Sequence, residues 1–93
     1  MKQFDVRCAL ISVGGITSRG ELADFHLFEA EFARAAMAQA QENWVITDHS
    51  KFGREAPVRV CELSAVNKII SDQPPPADFY TRCQEAGVKI VAP

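Results

Sequence analysis

Short apolar runs alternate along the chain with longer stretches whose apolar residues recur at helical spacing. Residues 5–13 (DVRCALISV) are aliphatic and β-branched and close on Gly14-Gly15, which predicts a buried strand ending in a tight turn. Residues 14–24 read as a loop. Residues 27–42 are long, good helix formers, with Asn43 as the expected terminator. A second strand is expected at 44–47, followed by a polar loop, DHSKFGRE, and by further short strands at 58–61, 68–71 and 88–91. Pro74, Pro75 and Pro76 stiffen the lead into a helix over 77–86, on which Phe79, Cys83 and Ala86 share a face and Gly87 is the natural C-cap. Strands alternating with helices imply βαβ units and an α/β fold, a largely parallel sheet with flanking helices.

At 93 residues the chain holds a single domain, 1–93. A compact fold of this size exposes roughly 5,000 Å² against about 15,000 Å² unfolded, so its stability is expected to be marginal. With 47% hydrophobic and 24% charged residues, the chain is too apolar for disorder and too evenly mixed for a membrane protein. No apolar run approaches the roughly 20 residues that span a bilayer. The net charge of −2 gives no broad attraction to nucleic acid or anionic lipid. Cys8, Cys61 and Cys83 lack any CxxC spacing, so they read as reduced, mostly buried thiols. The start leaves no room for a secretory leader, and the expected location is cytoplasmic.

In an open α/β sheet, ligands gather outside the carboxyl ends of the strands, which directs attention to the loops after Val13 and after Thr47. Gly14 and Gly15 lack a Cβ and would let backbone N–H groups approach an anion, although paired glycines also serve simply to turn a chain. Laid out at about 100° per residue, the first helix has a wide apolar arc of Phe28, Phe32, Ala33, Ala35, Ala36, Met37 and Ala40. Glu29 falls inside that arc. A carboxylate aimed at a sheet needs a cation, a donor or a ligand hydroxyl; the other reading is a capping box in which Glu29 reaches back to the N–H of His26. The loop after Thr47 gathers Ser50, Lys51 and Arg54 where a phosphate could be held, with Lys51 the expected anchor. His26 stands at an N-cap position and His49 beside Asp48, neither with a second ligand at metal spacing, so neither a metal nor a cofactor is expected. No serine lies in a nucleophile elbow.

Read together, the segments ISVGGITSRGELADFHLFEAEFARAAM, WVITDHSKFGREAPVRVCELSAVNKIISD and EAGVKIVAP resemble the C-terminal sensor domain of the DeoR family of bacterial transcription repressors. The resemblance covers nearly the whole chain. It implies a domain similar to ribose-5-phosphate isomerase that binds a phosphorylated sugar or polyol, with DNA held by an N-terminal winged helix-turn-helix. By position it places Gly14 and Gly15 at the mouth of the effector pocket. Asp24 and Glu29 would serve as carboxylates for sugar hydroxyls, and Lys51 of DHSK as a phosphate or sugar-oxygen partner. ADF stands where TDF is commoner, and His26 and Phe28 where polar or acidic residues are more usual, which leaves the effector's identity open. Measured against the family, the chain lacks the winged helix-turn-helix and the first half of the sensor domain, and reads as a partial domain.

Three functions compete. The leading one is an effector sensor with neither catalysis nor DNA contact of its own. A sugar-phosphate isomerase would use Glu29 as general base and Lys51 to steady an enediolate, but the first strand ends in SVGG rather than in that enzyme's paired-aspartate segment. An oligomerisation module would bind no small ligand. The apolar arc is wider than one sheet face needs, so self-association is expected.

Overall fold

A computed structural model of the protein describes residues 6–93. The expected strand start at residue 5 and the segment before it lie outside the described residues. Four strands form a parallel sheet, β1 (Val6–Ile11), β4 (Ala40–Thr47), β6 (Lys68–Ser71) and β7 (Lys89–Val91), in the order β1-β4-β6-β7. The α/β class and the parallel sheet are as expected. Three further strands, β2 (Gly15–Ile16), β3 (Glu21–Asp24) and β5 (Val58–Glu62), form a separate antiparallel sheet in the order β2-β3-β5.

That second sheet corrects the expected loop over 14–24. The segment folds back on itself at Gly20, whose φ of 80° suits a residue without a Cβ. Thr17 N–H donates to Glu21 O at 2.8 Å and Gly20 N–H to Thr17 O at 2.9 Å, closing the turn.

Helix α1 (Leu27–Ala38) starts after an extended His26 and stops four residues short of the expected end. Residues 40–42 continue β4 instead, because Ala40 and Glu42 lie opposite Val6 and Cys8 of β1. Asn43 sits inside this strand rather than ending a helix. Its N–H donates to Asn67 Oδ1 at 2.7 Å, its carbonyl accepts from Asn67 N–H at 2.9 Å, and its amide donates to Ala65 O. Helix α2 (Ala77–Ala86) has the expected bounds. Gly87, at φ 81°, lets Val88 N–H return to Cys83 O at 2.8 Å, the hydrogen bond of a Schellman ending.

One core joins the inner face of the parallel sheet (Ile11, Val45, Ile69) to Ala30 and Ala33 of α1, Leu22 and Val60 of the antiparallel sheet, and Phe79 and Cys83 of α2. The alanines let α1 approach closely, and Phe28 and Phe32 of the expected apolar arc lie away from the core, 79% and 71% exposed. The sheet's other face is largely bare. Register aligns Leu10, Trp44 and Lys68 in one row and Ile46, Ile70 and Val91 in the next, and Leu10 and Ile46 remain 61% and 47% exposed. Parallel sheets are ordinarily covered on both faces. Of the three thiols only Cys83 is fully buried; Cys8 and Cys61 are half-buried, and burial pushes Cys61 up to about 11.

Candidate effector-binding site

At the carboxyl end of β1 the chain passes from Leu10 to Gly14 along a cleft of about 600 Å³, a size suited to a small metabolite. Asp24 closes it from the end of β3, Phe28, Glu29 and Phe32 wall it from the first turns of α1, and Lys51 reaches it from the turn after β4. Four of the five expected site residues, Gly14, Asp24, Glu29 and Lys51, therefore line one cavity. Gly15 does not. It lies in β2 against the loop carrying Arg54, and an added Cβ would stand 2.3 Å from the Arg54 carbonyl oxygen. At Gly14 a Cβ would meet the Phe25 ring at 2.8 Å and Asp24 Oδ1 at 3.2 Å, so this glycine makes room for the cleft's own side chains.

Asp24 is 7% exposed, yet it faces the cleft. Burial raises its pKa, the neighbouring Glu29 carboxylate raises it further, and the backbone N–H groups of Phe25 and Gly14 pull the other way. The two carboxyls are close enough to hydrogen-bond when one is protonated. Its place in the apolar arc predicts Glu29 aimed at the sheet; it is instead exposed at the cleft's rim. The reason is that α1 buries its alanine stripe rather than its phenylalanine side.

Lys51 is the one cationic residue lining the cleft among the described residues. Lys51, its side chain 24% exposed, lies 3.4 Å from Asp48. Asp48 accepts from the hydroxyl and the N–H of Ser50, which hold its carboxyl down at about 2. The turn itself is tied down three ways. His49 Nδ1 lies 2.9 Å from Asp72 Oδ2 while the His49 N–H donates to Asp72 Oδ1 at 2.8 Å. Phe52 packs on Phe79 with ring centroids 5.7 Å apart. Gly53 N–H donates to Ile16 O at 2.7 Å.

Sequence reasoning missed Asp72, whose partner is 23 residues away and meets it only because β4 and β6 are neighbours. Phe28 and Phe32, expected only as part of a wide apolar arc, line the cleft as its apolar side. Among the described residues, no cluster of three His, Cys, Asp or Glu side chains could hold a metal. No helix among them is long and apolar enough to cross a membrane.

A family model described as the DeoR C terminal sensor domain matches residues 1–73. The chain belongs to the DeoR family. DeoR-family repressors share its sequence: the HTH-type transcriptional repressor CsqR of Escherichia coli K12 is 33% identical over 82 residues, 88% of this chain and 31% of that protein. The glycerol-3-phosphate regulon repressor of the same organism is 34% identical over 76 residues, 82% of this chain and 30% of its own length. The deoxyribose operon repressor of that strain is 29% identical over 91 residues, 98% of this chain and 36% of that protein. The chain thus spans about a third of the length of the DeoR-family regulators it matches. These relatives are named as regulators of transcription, not as enzymes.

Proposed function

We propose that this domain binds a phosphorylated sugar or polyol in the cleft between β1, β3 and α1, as the sensing part of a transcriptional repressor. The observation that carries this reading is that one cavity is lined by a cation, Lys51, together with two carboxylates, Asp24 and Glu29. A phosphate is attracted to the ammonium and repelled by the carboxylates, so the anionic end lies toward Lys51. The hydroxyls then meet Asp24 and Glu29, which between them accept, and donate when one is protonated. Phe25, Phe28 and Phe32 offer apolar surface to the ligand's carbon skeleton. Gly14 keeps the cleft open, and Gly15 serves it indirectly by admitting the Arg54 backbone that follows the Lys51 turn. Two relatives are named for a glycerol-3-phosphate regulon and a deoxyribose operon, which supports this ligand class.

On this reading the domain is a cytoplasmic, non-catalytic, homo-oligomeric module that makes no DNA contact of its own. DNA would be reached only through a winged helix-turn-helix outside these residues. Amide NMR titration with glycerol 3-phosphate, deoxyribose 5-phosphate and their unphosphorylated counterparts tests it. Shifts that saturate at Gly14, Asp24, Glu29 and Lys51, with the phosphorylated compounds only, are the expected result. Shifts centred instead on the separate 410 Å³ cleft lined by Arg19 and Arg82 would overturn the site. Conversion of any sugar phosphate would overturn the non-catalytic reading.

A further inference from the structure

Lys51 stands at the end of a single 3₁₀ turn, His49–Lys51, which is too short to hold itself in place. Two sets of hydrogen bonds act on it. Those of the Asp48 carboxylate stay inside the turn, reaching Ser50 and Lys51, so they shape the turn without fixing where it sits. The bonds that fix it must leave the turn. After Lys51 these are the Gly53 N–H to Ile16 O and the bridge between Phe52 and Ile16. Before Lys51, among the described residues, Asp72 alone supplies them.

Thr47 of β4 lies opposite Ser71 of β6, so Asp48 and Asp72 leave the sheet side by side. One Asp72 oxygen accepts the His49 main-chain N–H at 2.8 Å, and the other faces ring Nδ1 at 2.9 Å. A carboxylate only accepts, so Nδ1 carries the proton of the neutral ring. The ring bond in turn holds the Asp72 carboxyl below the usual carboxylate range. Both partners are half exposed, where such a pair adds little to global stability. Its consequence falls on the local order of the turn.

We propose that Asp72 is a positioning residue of the effector cleft, clamping His49 at backbone and ring and so holding Lys51 where the anionic end of the ligand is bound. Asp72 itself does not line the cleft. The inference rests on the proposed effector binding and adds to it a residue that acts through Lys51. Releasing the clamp leaves the binding geometry populated for only part of the time, and the apparent affinity falls by that fraction.

Calorimetric titration of the 93-residue chain with glycerol 3-phosphate and with deoxyribose 5-phosphate, beside hydrogen exchange of the Lys51 amide, tests it. Asp72→Ala is expected to raise Kd about tenfold, as a competent fraction of about one tenth requires, and to speed Lys51 exchange, with the melting temperature unchanged. Asp72→Asn is expected to restore both, because an amide can accept from the His49 N–H and donate to Nδ1. Nitrogen NMR of the His49 ring should then show its proton moved to Nε2. Affinity that survives Asp72→Ala but not Lys51→Ala would overturn the positioning role and leave the effector site standing. An equal loss of affinity in Asp72→Asn, or a loss that comes with a lowered melting temperature, would overturn it too. A wild-type chain that binds neither compound would overturn the effector reading and this inference with it.

Discussion

Burial and Glu29 both oppose ionisation of Asp24, so its folded pKa lies above the usual 3.8. The native state therefore favours the protonated carboxyl. That contribution is fully present below about pH 3.8 and is lost as the pH rises through the folded value. Asp24→Asn, which is neutral at every pH, should raise the melting temperature at pH 7 by an amount that shrinks on acidification, while weakening effector binding. A variant less stable than wild type at neutral pH would show that the carboxylate is paired rather than penalised. Asp48 has the opposite sense: Ser50 holds it at about 2, and Ser50→Ala should move its NMR titration midpoint up toward 3.8. The glycines separate similarly. Gly15→Ala drives a Cβ into backbone at 2.3 Å and should cost on the order of 1–3 kcal/mol in denaturant unfolding. Gly14→Ala meets mainly the Phe25 ring, itself 47% exposed and free to move, so its cost should be smaller and its effect on ligand affinity larger.

At the scale of elements, the legible parts are those whose local signals agree. Helix α2 has proline before it, a shared Phe79 and Cys83 face, and Gly87 after it, and both its bounds follow from these signals. Gly87→Ala keeps open space around the new Cβ but forces a left-handed φ of 81°, and should cost about 1 kcal/mol by thermal unfolding. The end of α1 was not legible, because Ala40, Gln41 and Glu42 are good helix formers that tertiary pairing with β1 draws into a strand. The hairpin of β2 and β3 was hidden for a related reason: a two-residue strand beside ELAD carries almost no pattern, and its pairing with β5 depends on residues nearly 40 positions away. The position of Glu29 on the helix was readable, but which side of α1 meets the core was not. Small alanines won that contact over phenylalanines because they allow the closer approach.

The molecule exposes 5531 Å², close to the roughly 5,000 Å² expected of a compact chain of this size, yet among the described residues one sheet face and the β1 edge have no covering element. Its cleft stands where the carboxyl ends of β1 and β4 meet the start of α1. Gly14, Asp24, Glu29 and Lys51 were identifiable from the sequence, by strand-end logic and by family resemblance; their supports, Asp72, Phe52 and the aromatic wall, required the sheet order. On the proposed function, Lys51 and the carboxylate pair form one effector pocket. The most direct test is thermal unfolding of the chain and of Lys51→Ala against a panel of sugar and polyol phosphates. A ligand at a hundredfold its dissociation constant should add about 2.7 kcal/mol of stability, for one class of phosphorylated compound, and the substitution should abolish that gain without lowering the melting temperature of the free protein. A folded chain that responds to no member of the panel, or whose response Lys51→Ala leaves intact, would contradict the pocket.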